Sequence, residues 1–179
     1  GVVLLACVGL PLLWGWNVGE TVFDTSTWPV TLLVTEVVLS QRSTPLFIVL
    51  VILFAGEILW KERDVGMAEI VDTTPLSDAA ALLGRFLALV VLIVMFQAAA
   101  MVGGLLIQAL QGYYDFELGL YLRVVFGLKL ADYVLLGALA MTIHVLVNHK
   151  HLGHMAVLIA FGLIALAPQL LGLDHHLLL

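Results

Sequence analysis

Residues 86–107 read FLALVVLIVMFQAAAMVGGLLI, an apolar run broken only by Gln97. A helix needs about 20 mostly apolar residues to cross the ~30 Å hydrocarbon layer of a bilayer, and this run reaches that length without a charge. A strand is excluded by the pattern. Membrane-spanning strands alternate apolar and polar residues over about ten positions, whereas this run is apolar at successive positions. Within lipid, every backbone donor and acceptor must be satisfied internally, which a helix does by itself. The whole chain agrees: 63% of its 179 residues are hydrophobic and 11% are charged, with mean hydropathy +1.14. Soluble domains average about half apolar and about a quarter charged. The expected fold is all-α, a polytopic transmembrane helix bundle.

Working outward from this run, apolar stretches place about five spans, at 1–16, 44–61, 80–109, 131–147 and 153–172, within one transmembrane domain covering 1–179. Pro45 suits the first turn of the second span. TLLVTEVVL (31–39) is too short to span and carries Glu36. The aromatic segment 111–132 is too polar to span and too apolar for a free loop, so an extracytoplasmic interfacial or re-entrant helix is expected. Trp14, Trp16 and the four tyrosines suit a membrane–water boundary. The chain opens inside an apolar run without Met or a basic leader, and reads as a piece of a longer polypeptide. Its net charge of −6 provides no basic footprint for nucleic acid. Cys7, the one cysteine, cannot form an internal disulfide.

Charge concentrates in GEILWKERDVGMAEIVDTTPLS (56–77). Glu57 and Lys61 stand four apart with the acid first, the favoured order for a helical pair. This predicts that the second span continues as a helix past the membrane surface. Gly66 is a natural break. Met67, Ile70 and Val71 then fall on one face of a short amphipathic helix, which Thr74-Pro75 ends because the residue before proline avoids helical geometry. Ser77 reads as the N-cap of the next helix, with Asp78 in its first turn. Arg85, one to two turns further on, can snorkel to the surface. With this stretch cytoplasmic, Lys61, Arg63, Arg85 and Lys150 share that side, against Arg42, Arg123 and Lys129 on the other, a weak positive-inside bias.

The order of these features resembles the first cytoplasmic loop of ABC exporter permeases of the type-two membrane family. The residues that carry the resemblance are ERDVGMAEIVDTTPLSDAAALLGR (62–85), AGEILWKERD (55–64), LIQALQGYYDFELGLYL (106–122), ADYVLLGALA (131–140) and VLVNHKHLGH (145–154). Together they are similar to a bacterial subgroup whose membrane portion is often joined to a zinc-aminopeptidase-like domain. The resemblance implies a permease domain of the bacterial plasma (inner) membrane. It implies that 62–78 is a coupling segment docking on a separate ABC ATPase subunit, and that the permease works as a homodimer or as a pseudo-dimer with a second permease half. By that reading Met67, Ile70 and Val71 anchor the docking helix, Glu62, Arg63, Asp64, Glu69 and Asp72 orient it, and Pro75, which ends it, belongs to the docking segment. Neither an HExxH motif nor a Gly-rich Lys-Ser/Thr loop occurs, so the segment is expected to be no enzyme itself and to need no cofactor.

The remaining polar residues have plainer readings. His149, His151 and His154 crowd the turn NHKHLG, and composition of a turn explains them without a metal. His144 is expected to hydrogen-bond between helices. Gln97, at mid-depth, reads as an interhelical hydrogen-bonding group, and Ala99/Gly103 with Ala100/Gly104 give small-residue faces for close helix packing, within the chain or at a subunit seam. Two other functional classes compete with transport. One is a membrane anchor that tethers a peptidase-like domain. The other, an intramembrane enzyme, lacks paired carboxylates, a Ser-His arrangement or a metal set within the spans.

Overall fold

The computed structural model describes residues 2–15, 29–31, 33–35, 44–66 and 77–170. Among these there is no strand. The helices are α1 (Val2–Gly15), α2 (Thr44–Asp64), α3 (Asp78–Leu110), α4 (Leu118–Tyr121), a π-helix (Leu122–Lys129), α5 (Leu130–Val147) and α6 (Lys150–Leu170). Among the described residues, three stretches are long and apolar enough to cross a membrane: Asp78–Leu110, Leu118–Val147 and Lys150–Ala167. The protein is therefore an all-helical membrane protein. Of the five expected spans, the third, fourth and fifth belong to this set; α1 is a shorter helix of 14 residues, and α2 has 21.

Helix ends follow local chemistry. The α2 helix closes at Gly66, whose φ of +68° is the left-handed conformation that glycine adopts without penalty. The Gly66 amide donates to the Arg63 carbonyl at 3.1 Å. Ser77 caps α3 as expected: its backbone is extended, and its hydroxyl accepts from the Ala80 amide at 3.3 Å. At the other end of α3, Gly112 has φ +79° and the Tyr113 amide returns to the Gln108 carbonyl at 2.8 Å. Asn148, at φ 49°, makes the left-handed turn between α5 and α6, a conformation asparagine tolerates better than most residues.

α3 shows why the bundle needs lipid as its solvent. One face, Leu89, Ile93, Phe96, Ala100, Gly103 and Ile107, is buried. The opposite face, Leu83, Leu87, Val91, Met95, Val102 and Leu106, is as apolar and is exposed. A water-soluble helix would be polar there, and exposed apolar area of this extent marks a membrane or protein contact. Inside, α5 packs against α2, α3 and α6, and α1 against α3. Phe47 and Tyr133 stack at 5.5 Å between α2 and α5. Gly137 lets α5 approach α3, since a Cβ there would lie 3.0 Å from Leu89 Cδ2.

One boundary differs from the sequence reading. Where a separate interfacial helix was expected before residue 131, helical residues run without interruption from 118 to 147. The join is the eight-residue π-helix. Such helices are rare and usually last a single turn. Gln97 lies beside it: its side-chain amide donates to the Val125 carbonyl at 3.1 Å, which also accepts from the Leu130 amide across the wide turn. The amide oxygen of Gln97 is buried without a partner. One gained bond is thus set against one unsatisfied acceptor. Gln97→Met is accordingly expected to change stability by less than about 1 kcal/mol, measured by denaturant unfolding in lipid or detergent.

Candidate functional site

The charged end of the bundle is where four helix termini converge. The last two turns of α2 meet the start of α3 on one side and the α5–α6 turn on the other. Glu62 forms an ion pair with Arg85 of α3. Arg63 lies over the Trp60 ring, 4.7 Å from its centroid, and donates to Asn148 Oδ1 at 2.6 Å. Lys150, the first residue of α6, stands between two α2 carboxylates, 2.8 Å from Glu57 and 2.6 Å from Asp64. Trp60 Nε1 donates to His144 Nδ1 at 3.4 Å. Each part-exposed ion pair is worth about 1 kcal/mol or less; their collective effect is to fix the direction in which α2 leaves the membrane.

The structure re-pairs several of the residues singled out from sequence. Glu57 binds Lys150 rather than Lys61, because the α6 terminus is brought to the same face of α2. Arg85 is held by Glu62 instead of simply reaching for the surface. Gly153 lies inside α6, not in a turn. His149 caps that helix: its Nδ1 accepts from the Leu152 amide at 3.4 Å. His144 pairs with His154, with ring centroids 4.7 Å apart, while His149 and His151 stand 6.2 Å apart. Among the described residues, no three His, Cys, Asp or Glu side chains converge in a way that could hold a metal ion. Glu62, Arg63 and Asp64 lie together on the end of α2. The other expected docking residues, Met67, Glu69, Ile70, Val71, Asp72 and Pro75, lie outside the described residues, as do His175 and His176.

The small-residue face works within the chain. Ala100, Gly103 and Gly104 are buried and Ala99 is partly buried. A Cβ on Gly104 would sit 3.0 Å from Tyr121 Oη and 3.2 Å from Val34 Cγ1. This contact opens onto a second polar cluster, at the end of the bundle away from the charges. Gln108 is buried there. Its amide donates to the Pro29 carbonyl at 3.0 Å and to Thr31 Oγ1 at 3.2 Å, and its carbonyl accepts from Tyr121 Oη at 2.9 Å. The Glu117 amide donates to Thr31 Oγ1 at 3.4 Å. Tyr121 is 0% exposed, so its ring and hydroxyl serve this network inside the bundle.

Sequence reading missed the Lys150 hub, the Gln108 network and the histidine pair. One signal pointed to the last: a tight turn centred on 148–149 between antiparallel helices sets residues about five before it against residues about five after it, which pairs His144 with His154. Searched against protein-family models, curated proteins and solved structures, the chain matches none of them.

Proposed function

We propose that the protein is the transmembrane part of an ATP-driven ABC transporter, of the exporter kind, in a bacterial plasma membrane, worked by a separate ATPase subunit and paired with a second permease half. The observation that carries this reading is the build of the charged end. α2 ends at a glycine cap, α3 begins at a serine cap, and the Glu62–Arg85 ion pair joins the two ends. Residues 67–76 are therefore tied at both sides to rigid helices. A segment so held can pass a partner's displacement to the helices that follow it, and the mixed charges of Glu62, Arg63 and Asp64 suit orienting contacts at the rim of a docking surface. The reading also rests on the sequence resemblance of 55–85 to the exporter loop.

The test is cysteine crosslinking from position 67 or 70 of the full-length protein to a co-expressed ATPase subunit, with and without ATP. A crosslink whose yield depends on nucleotide is expected. No crosslink in any nucleotide state removes the proposal and favours the anchor reading. A charge swap gives a second check. Arg85→Glu is expected to lower ATP hydrolysis stimulated by the permease several-fold, and adding Glu62→Arg to restore most of it; failure of the double variant to recover would show that the pair plays no part in coupling.

A further inference from the structure

His144 and His154 meet where α5 and α6 press on α2. His144 is 1% exposed. Their ring planes cross at 81°, and two glycines make the room. A Cβ on Gly56 would lie 2.2 Å from His154 Cε1 and 2.9 Å from His144 Cε1, and one on Gly153 would lie 2.2 Å from His144 Nδ1.

Hydrogen bonding fixes the tautomer of each neutral ring. The Trp60 indole can only donate, so His144 Nδ1 accepts from it and the His144 proton is on Nε2. That Nε2 is buried without a partner. His154 bonds to the backbone carbonyl of Ile52, which can only accept. Its Nδ1 is buried without a partner, so Nε2 carries the proton and makes that bond. The pair thus holds one unmatched donor, on His144, and one unmatched acceptor, on His154. Buried polar groups are rarely left so.

We propose that His144 and His154 form a single proton-binding site that latches α6 to α2 and α5. In the neutral state the two groups left unmatched at this 4.7 Å ring contact are complementary, and His144 Nε2–H can donate to the lone pair of His154 Nδ1. One proton taken from solvent by His154 Nδ1 forms an N–H bond, removes the acceptor and sets two N–H groups against each other, so the contact opens. The charged or titratable groups that face His154 are Glu57 from α2, Lys150 and His151 from α6, and His144 from α5. Because Glu57 is also a partner of Lys150, attraction to a charged His154 loosens the Lys150 clamp in the same step. The site does not depend on what the protein transports.

The test uses the full chain in lipid nanodiscs with Trp14, Trp16 and Trp28 replaced by Phe, leaving Trp60 as the reporter. Between about pH 8 and pH 4, a range that brackets ordinary histidine titration, Trp60 emission is expected to change reversibly with the slope of one proton. Amide exchange at 150–154, corrected for the intrinsic effect of pH, is expected to rise at least tenfold in the acid form. Both changes are lost in His154→Gln. Nitrogen-15 NMR of labelled histidine at neutral pH reads the tautomers without any variant, and both rings are expected to carry the proton on Nε2. A His144 proton on Nδ1, a two-proton slope, unchanged exchange at 150–154, or a transition that survives His154→Gln would each overturn the proposal.

Discussion

Alanine at position 56 is expected to cost about 3 kcal/mol of folding stability, the upper part of the range for overpacking a close-packed interior. The added methyl would stand 2.2 Å from the imidazole of His154, closer than unbonded carbons approach. Neither ring has room to yield. His144 is held by Trp60 and by the backbone of Gly153, and His154 by the Ile52 carbonyl. Relief must come from moving α6 away from α2, which also stretches the Lys150 ion pairs. Gly153→Ala should behave alike, with its methyl directed at His144. Gly84→Ala is the control: it lies on an exposed part of α3 with nothing within 4 Å of the added carbon. There the higher helix propensity of alanine predicts a gain of up to about 1 kcal/mol. Equilibrium unfolding of the three variants in the same lipid checks the contrast. A Gly56→Ala protein as stable as wild type would mean that α2 and α6 do not pack as described.

Gln108→Met is the second large effect, a loss of about 2–3 kcal/mol. The volume is nearly kept, so packing is not the cause. The change strands the Tyr121 hydroxyl and the Pro29 carbonyl and takes one of two donors from Thr31 Oγ1, which keeps the Glu117 amide. An unsatisfied buried group costs about 1–3 kcal/mol, while interhelical hydrogen bonds in membranes average nearer 0.6 kcal/mol, which keeps the total below the plain sum. Tyr121→Phe removes only one bond and should cost about 1 kcal/mol. The double variant should cost less than the two single changes added together, because the Tyr121 bond can be lost only once. Strict additivity in that cycle would deny that Gln108 and Tyr121 act together.

The sequence was most informative where local chemistry decides the outcome. The expected third span, 80–109, is α3 to within two residues at either end, because Ser77 and Gly112 are punctuation that works without tertiary help. The Gly66 break is of the same kind. Pairing was less legible. Glu57 has Lys61 at helical spacing, yet the hairpin register of α5 and α6 delivers Lys150, and nothing near residue 57 announces that. At 111–132 the tyrosines and scattered charges read as an interface; Tyr121 is buried on Gln108, and helical residues run on from 118 into α5 through the π-helix. Gln97 was read as an interhelical group, and it is one, but its partner is a backbone carbonyl that only the wide turn places there. Of the expected docking residues, the described ones, Glu62, Arg63 and Asp64, are joined into the charged cluster through Arg85, Asn148 and Lys150.

The length of α3 has a mechanical consequence. At 1.5 Å per residue its 33 residues make a rod of about 50 Å, against a hydrocarbon layer of about 30 Å. The apolar run 86–107 is by itself long enough to fill that layer, which leaves residues 78–85 free to extend about 12 Å beyond it as a cantilever at the charged end. Glu62 braces it at Arg85, near the root, and leaves the tip at Ser77 and Asp78 as the point of greatest leverage. A sideways push there tilts the whole rod about its brace, and a push along its axis reaches Gln108 undiminished, because a helix shortens only by breaking its own hydrogen bonds.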